Sequence, residues 1–377
     1  MSKPLYVTQP LLPDLDAFHM LLAEIWRTKI LTNGGPLHER LEGELSRRFG
    51  VPTAMLFNNG TNALLAAIKL FHLPANSEVI TTPLTFAATP HAISWNGLKP
   101  VFVDILPNTL TIDPVAVRNA VSSKTSAILA VHVYGTVCDL DALQEIADDQ
   151  GLRLIYDAAH AFDTTVNGRS IATFGDASVF SFHATKLFNT FEGGLIATPR
   201  AVDREPIYYL RNFGIKNEEE VVSIGINGKL NELQAAIGLL NLPLVERERA
   251  ERVLLRAKYD DFLAPLPGIF VQKPQAGVLN SEQYYRIIID PKMFGRSRDD
   301  LYEELKCRSI FARKYFYPAC TDFAPYCSYG VHSTLTVPYV NIVKSQVLCL
   351  PFHSGVSEDD LQEIREVFLS RAPHYGM

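Results

Sequence analysis

The sequence has no C-x-x-C pair, and its five cysteines (Cys138, Cys307, Cys320, Cys327 and Cys349) are odd in number. Neither a disulfide framework nor a zinc ribbon is expected from them, and the reducing cytoplasm is the expected compartment. The ten histidines include no H-E-x-x-H or comparable ligand spacing, so no protein metal is expected. Basic residues are not in excess. The 35 Lys and Arg face 41 Asp and Glu, a net charge of −6, which lacks the electrostatic footprint of a nucleic-acid binder. No apolar run approaches the roughly 18–20 residues that cross a bilayer. The opening MSKPLYVTQPLLPDL lacks the basic start and apolar stretch of a secretory signal. Internal repeats and low-complexity tracts are missing as well.

What remains is an ordinary soluble globular composition, 47% hydrophobic and 20% charged. At 377 residues the chain exceeds one ordinary core, and two domains are expected. From about residue 54 to 198, short β-prone runs alternate with amphipathic helical segments, which predicts an α/β fold with a mostly parallel sheet flanked by helices. Composition shifts after PLPG (265–268), placing a smaller α+β domain over 250–377 behind a large domain with an N-terminal arm over 1–249. The first 30 or so residues are expected to pack on the smaller domain or on a partner subunit.

The chemistry concentrates between Asp157 and Gly194. The run RLIYD (153–157) puts an acid at the tip of one strand, and ASVFSF (177–182) leads to Lys186 just beyond another. Strands of an α/β sheet present their carboxyl ends to ligand. A lysine there can form a Schiff base with a carbonyl, and an acid there can pair with a pyridinium nitrogen. Upstream, NNGT (58–61) is a strand-to-helix turn whose N–H groups and positive dipole end suit a phosphate, with Gly60 and Thr61 as donors. Phe86, in PLTFAAT (83–89), offers a stacking face. His160 lies one helical turn on from Asp157, and Ser181 flanks the same place. Taken singly, each has a plainer reading: a solvated lysine, an N-capping aspartate, packing histidines, a core aromatic, a tight turn at Gly193–Gly194. Jointly they describe a flat, phosphorylated, carbonyl-bearing cofactor with a basic ring nitrogen, pyridoxal 5′-phosphate.

The motifs NNGT-A-L, PLTFAAT, YDAAHA, SFHATK and FEGG, in this order, together with GINGKLNELQAAIG (225–238), resemble the DegT/DnrJ/EryC1/StrS aminotransferases. The resemblance runs from LTNGGP (31–36) to LPFH (350–353). It implies the aspartate-aminotransferase (type I) fold and pyridoxal phosphate as cofactor. It implies that Lys186 is the Schiff-base lysine, Asp157 the pyridinium partner, His160 the residue beside it and Phe86 the stacking aromatic. Gly60, Thr61 and Ser181 would form the phosphate cradle, and His183 joins the cofactor-binding set. Asn227 matches an asparagine that reaches the neighbouring subunit's phosphate, which implies a homodimer with shared active sites. Members with histidine in place of the lysine are dehydratases, so Lys186 favours amino transfer.

In one place the chain departs from the pattern: the family often has Asn-Tyr-Arg-Met where Asn227-Gly228-Lys229-Leu230 stands here. The expected donor is L-glutamate, and the expected acceptor a nucleotide-linked keto-6-deoxy sugar, with dTDP-4-keto-6-deoxyglucose the nearest match. C3 amination of a dTDP-3-keto-6-deoxyhexose and a non-catalytic PLP-binding regulator are the alternatives. Asn33, Lys229, Arg313 (with Lys314 beside it), Tyr315 and Tyr317 are expected to hold the sugar nucleotide.

Overall fold

The computed structural model describes residues 4–327 and 336–370; the outer limits of the two expected domains, at residues 1 and 377, lie outside them. Among the described residues, seven strands build the central sheet: β1 (Thr53–Phe57), β2 (Glu78–Thr81), β3 (Lys99–Phe102), β4 (Thr125–Val131), β5 (Arg153–Asp157), β6 (Ala177–Ser181) and β7 (Gly194–Thr198). Their spatial order is β1-β7-β6-β5-β4-β2-β3. The run from β6 to β3 is parallel. The alternation expected out to residue 198 ends on a strand of opposite direction, because β7 pairs antiparallel with both β1 and β6. The register aligns Val131, Asp157 and Val179 across β4, β5 and β6, and Phe57, Gly194 and Ser181 across β1, β7 and β6. Five strands therefore meet at one edge, where Asp157 stands.

Side chains of a strand alternate between the two faces of the sheet, and both faces here are buried, as a parallel sheet requires. Ala54, Leu56, Ile128, Ala130, Leu154, Tyr156 and Phe180 pack toward helices Pro36–Phe49, Leu140–Gln150 and Glu232–Asn241. Met55, Phe57, Ala127, Leu129, Ile155 and Val179 pack toward helices Gly60–Leu70, Ala88–Trp95 and Arg204–Arg211. Asp157 continues the parity of Ile155, and Ser181 that of Val179. Both are thereby directed to the face that carries the N-termini of helices Gly60–Leu70 and Ala88–Trp95. A one-residue slip in either strand would turn the functional side chain to the opposite face.

A second apolar core lies in the C-terminal part. There β8 (Ile269–Val271), β9 (Tyr285–Ile289) and β10 (Val347–Leu350) form an antiparallel sheet. It packs with helices Val245–Leu263, Arg298–Cys307 and Glu358–Leu369. The last of these is capped by Ser357, as its sequence predicts. Helix Val245–Leu263 runs through residue 250 without a break. Strands β8 and β10 and helix Arg204–Arg211 are elements that the sequence reading did not delimit. The N-terminal segment divides its contacts. Leu5–Tyr6 pairs with Ile310–Phe311 of the C-terminal part, whereas helix Leu15–Thr28 lies on helix Glu232–Asn241, with Ile25 in the large core. No helix among the described residues is long and apolar enough to cross a membrane.

Helix Pro36–Phe49 has no side-chain cap of its own at Gly35. Glu232, buried at the start of a helix some 195 positions away, supplies one instead. Its carboxylate accepts from the backbone N–H groups of Leu37 (3.0 Å) and His38 (2.8 Å). Removing this acceptor leaves two buried donors unpaired at a helix N-terminus. Glu232→Ala is expected to cost about 2–4 kcal/mol, read as a lower urea midpoint at unchanged slope; an unchanged midpoint would show that the cap does not matter.

Candidate active site

The strand edge opens into a cavity of about 380 Å³. Its inner end is Asp157, buried at 5% exposure. The carboxylate accepts from the Thr89 hydroxyl (2.8 Å) and from the Ala159 N–H (3.1 Å). Thr89 in turn shares a 2.8 Å bond with the Thr85 hydroxyl. Burial pushes the Asp157 carboxyl upward, while the bonds from Thr89 and Ala159 and the charge of Lys186 pull it back. Lys186 lies in the loop between β6 and β7. Its side chain is only partly covered by surface area, yet the surrounding protein removes enough water to lower its pKa to about 8, against the opposing pull of Asp157. Acid and amine thus sense each other inside one cavity.

His160 is buried beside them. The Tyr134 N–H donates to its Nδ1 (3.2 Å), which places the ring proton on Nε2. Its ring lies parallel to Phe316 at 5.8 Å and edge-on to Tyr284 at 5.1 Å. Burial, and then the charge of Lys186, drive its pKa well down, so the ring is neutral.

The other end of the cavity is the N-terminus of helix Gly60–Leu70, capped by the Asn59 side chain on the Asn62 N–H (2.8 Å). The first N–H groups of a helix lack intrahelical partners and attract anions. Thr61 and Ser181 bring hydroxyls to the same place. Position 60 is tight, since a Cβ there would stand 3.0 Å from the Ser181 Cβ and narrow the gap between helix and strand. Phe86 borders the cavity with 61% of its surface exposed. His183 also lines it; its Nδ1 faces the Thr185 hydroxyl at 2.8 Å and its Nε2 the Glu192 carboxylate at 3.6 Å.

Of the residues expected to hold the substrate, Arg313 and Tyr315 line the cavity, with the guanidinium 5.2 Å from the tyrosine ring. Tyr317, Asn33, Lys229 and Lys314 do not line it within this chain, and neither does Asn227, expected at the cofactor phosphate. Tyr317 is exposed and covers Arg298. Asn33 is exposed in a left-handed turn. Lys229 donates to Asn212 (2.9 Å) beside the Phe213 ring. Asn227 is exposed, with its carbonyl on the Asn58 side-chain amide (3.2 Å). Lys314 turns away to Asp299 and the Tyr302 ring. The departure at Gly228 has a steric reason: a Cβ there would meet the Phe57 ring at 2.9 Å.

The sequence reading passed over Thr85, Thr89, Tyr284 and Phe316. Thr85 precedes helix Ala88–Trp95 and Thr89 lies in its first turn, so no helical spacing marks the first pair. Nothing local marks the other two, which arrive from the C-terminal part.

The donor set fits pyridoxal phosphate: a helix N-terminus with two hydroxyls for the phosphate, a buried carboxylate for the ring nitrogen, and an amine of lowered pKa for the carbonyl. Fold and site are those of a pyridoxal-phosphate-dependent transaminase. The comparison with known proteins agrees. The DegT/DnrJ/EryC1/StrS aminotransferase family matches residues 16–368. The dTDP-4-amino-4,6-dideoxy-D-glucose transaminase of Shigella dysenteriae is 44% identical over 364 residues, covering 97% of this chain and 98% of the relative. The enzyme of the same name from Escherichia coli is 40% identical over 373 residues, covering 98% and 99%. The crystal structure of DesI in the presence of its TDP-sugar product superposes with a TM-score of 0.89 at 36% identity, covering 97% of this chain and 92% of that one. The chain belongs to the DegT/DnrJ/EryC1/StrS aminotransferase family.

The lowered pKa makes a prediction for the cofactor-free protein. The neutral amine is the nucleophile, so acylation of Lys186 should accelerate as pH rises through about 8. Asp157→Asn removes the charge that favours the ammonium form and should move this midpoint to lower pH. Peptide mapping of the modified lysine across a pH series measures both; an upward shift in Asp157→Asn would contradict the assigned coupling.

Proposed function

We propose that this transaminase moves the amino group of L-glutamate to C4 of dTDP-4-keto-6-deoxyglucose, giving dTDP-4-amino-4,6-dideoxyglucose. The observation that carries the proposal is the near-complete coverage, at 44% and 40% identity, by two relatives named for that product. The presence of Lys186 opposite Asp157 in one cavity supports a catalytic reading over a purely binding one.

Pyridoxal phosphate, when bound, supplies the electron sink that stabilises negative charge on the carbon bearing the amino group. The chain supplies the rest. Lys186 Nζ takes the proton from that carbon and returns it on the other side of the exchange, a role for which a partly neutral amine is suited. The Asp157 carboxylate, oriented by Thr89 and the Ala159 N–H, holds the proton on the ring nitrogen. The Nε2–H of His160 is available as a donor to the ring's oxygen. The start of helix Gly60–Leu70, Thr61 and Ser181 bind the phosphate, Phe86 stacks on the ring, and His183 borders it. Arg313 and Tyr315 receive the sugar diphosphate.

The protein acts as a cytoplasmic homodimer, with Asn227, Lys229 and Asn33 serving the partner's site. These three are polar groups outside their own cavity. Exposed apolar side chains around Asn227 (Ile224 at 83%, Val221 at 69% and Phe213 at 47%) support a covered surface there. The division into a large domain to about residue 249 and a small one beyond it belongs to the same reading, supported by the separate apolar cores.

Incubation with glutamate and either dTDP-4-keto-6-deoxyglucose or a dTDP-3-keto-6-deoxyhexose, followed by mass spectrometry and NMR, tests the substrate. Amination of the 4-keto sugar alone is expected, and preference for the 3-keto sugar would overturn the assignment. Lys186→Ala should abolish turnover. Mixing inactive Lys186→Ala with Asn227→Ala should restore about a quarter of the wild-type sites if each site draws on both chains of a symmetric dimer; no recovery would argue for self-contained sites.

A further inference from the structure

Lys186 sits in no regular element. Its loop leaves β6 at Ser181 and returns in β7 at Gly194. Phe182 and Phe188 are buried and pack on each other and on Phe162. Between these anchors the backbone at residues 185–187 needs another hold. It comes from the C-terminal part. The Gln283 side chain is 1% exposed and grips the chain on both sides of the lysine. Its Oε1 accepts from the Leu187 N–H (2.8 Å), and its Nε2 donates to the Thr185 carbonyl (2.9 Å).

Gln283 belongs to a short strap, Asn280–Tyr284, that touches the site at several points. Asn280 donates to the Gly135 carbonyl (2.9 Å), and the Ser281 hydroxyl donates to the His160 carbonyl (2.6 Å). Tyr284 lines the cavity and meets the His160 ring edge-on. The strap is itself fixed at both ends. Val278–Leu279 pairs with Thr165–Val166 on one side, and β9 begins at Tyr285 on the other. Between them Glu282 adopts a left-handed backbone (φ 53°), rare for a residue with a side chain. Buried Arg256 holds its carboxylate through Nε (2.8 Å) and Nη2, and Arg252 holds its carbonyl (3.1 Å). These bonds set the turn that aims Gln283 at the lysine loop.

We propose that Gln283 is a positioning residue for the transamination reaction: its paired hydrogen bonds to Thr185 and Leu187 fix the backbone from which Lys186 reaches the reacting carbon, so that the C-terminal part sets the lysine's placement. The proposal rests on Lys186 being the catalytic lysine. A primary amide is suited to the task, since one group must donate to a carbonyl and accept from an N–H at once.

The test uses Gln283→Met, which keeps the volume and loses both bonds, and Gln283→Glu, which keeps the acceptor for Leu187 and loses the donor to Thr185. A displacement of about 1 Å at a reacting group can cost about 100-fold. In the pyridoxal-phosphate-loaded enzyme, kcat of Gln283→Met is therefore expected to fall about 10- to 100-fold, with KM for both substrates within about threefold of wild type. Gln283→Glu should fall between them. In the cofactor-free protein, the pH midpoint for acylation of Lys186 should move upward in Gln283→Met as the loosened loop lets water reach the amine.

A Gln283→Met protein whose kcat and Lys186 midpoint both match wild type would overturn the proposal. So would equal losses in both variants with an unmoved Lys186 midpoint, the pattern of a packing defect. Should Gln283→Met fail to fold, Gln283→Glu decides by the same two readouts. Lys186→Ala separates the two readings: retained turnover there would remove the lysine's role itself, whereas abolished turnover with an unaffected Gln283→Met removes only the clamp.

Discussion

A carboxylate and an amine must share a cavity from which most water is removed, and the rest of the structure serves that requirement. Neither group is easily buried alone, because charge prefers water. Here burial drives Asp157 and Lys186 toward their neutral forms while each favours the charged form of the other. The balance leaves an amine that is neutral in part at ordinary pH and an acid tied down by Thr89 and a backbone N–H. Both states suit the roles proposed for them in transamination: one would move a proton, the other would keep one in place.

The sheet makes this pairing possible through strand parity and strand order. Asp157 and Ser181 end neighbouring parallel strands, Ser181 two residues beyond Val179, the register partner of Asp157, on the same face and under two helix N-termini. The antiparallel strand β7 brings the chain back between β1 and β6, and so closes the loop that carries Lys186 into the cavity bordered by the N-terminus of helix Gly60–Leu70. The loop is irregular, but it is not loosely held. Each fully buried phenylalanine at its ends contributes about 1.5–3 kcal/mol of burial, and a buried glutamine completes the hold. Precision in an irregular segment comes from the elements packed around it, which is why the C-terminal part bears on a lysine some hundred residues upstream.

Much of the fold could be read directly. Short β-prone apolar runs with turn residues between them marked six of the sheet strands, and Ser357 marked the start of the final helix. The direction of β7 could not be read, since GLIAT has the same pattern whichever way it runs. Helix Arg204–Arg211 spans only eight residues, with Ile207 and Leu210 as its buried apolar positions, too short a run for a helical period to stand out. The lining of the cavity was legible wherever local motif and chemistry coincide, at Gly60, Thr61, Phe86, Asp157, His160, Ser181 and Lys186. It was not legible where a long-range contact decides. Tyr317 and Lys314 share a segment with Arg313 and Tyr315, yet the backbone turns them toward helix Arg298–Cys307.

The sequence by itself determined the chemical inventory: an acid and a lysine at strand ends, a strand-to-helix turn whose N–H groups suit a phosphate and an aromatic nearby, and hence the cofactor and the reaction class. These follow from residue type and from spacing along a few neighbouring elements, which local physics governs. The tertiary structure alone decided which groups tune and aim that inventory. Thr89 on Asp157, the Tyr134 N–H on His160, Glu232 on a distant helix start and Gln283 astride Lys186 all join positions far apart in the chain. A hydrogen bond depends on a few tenths of an ångström and on angle, and only the packed fold brings remote residues within that tolerance.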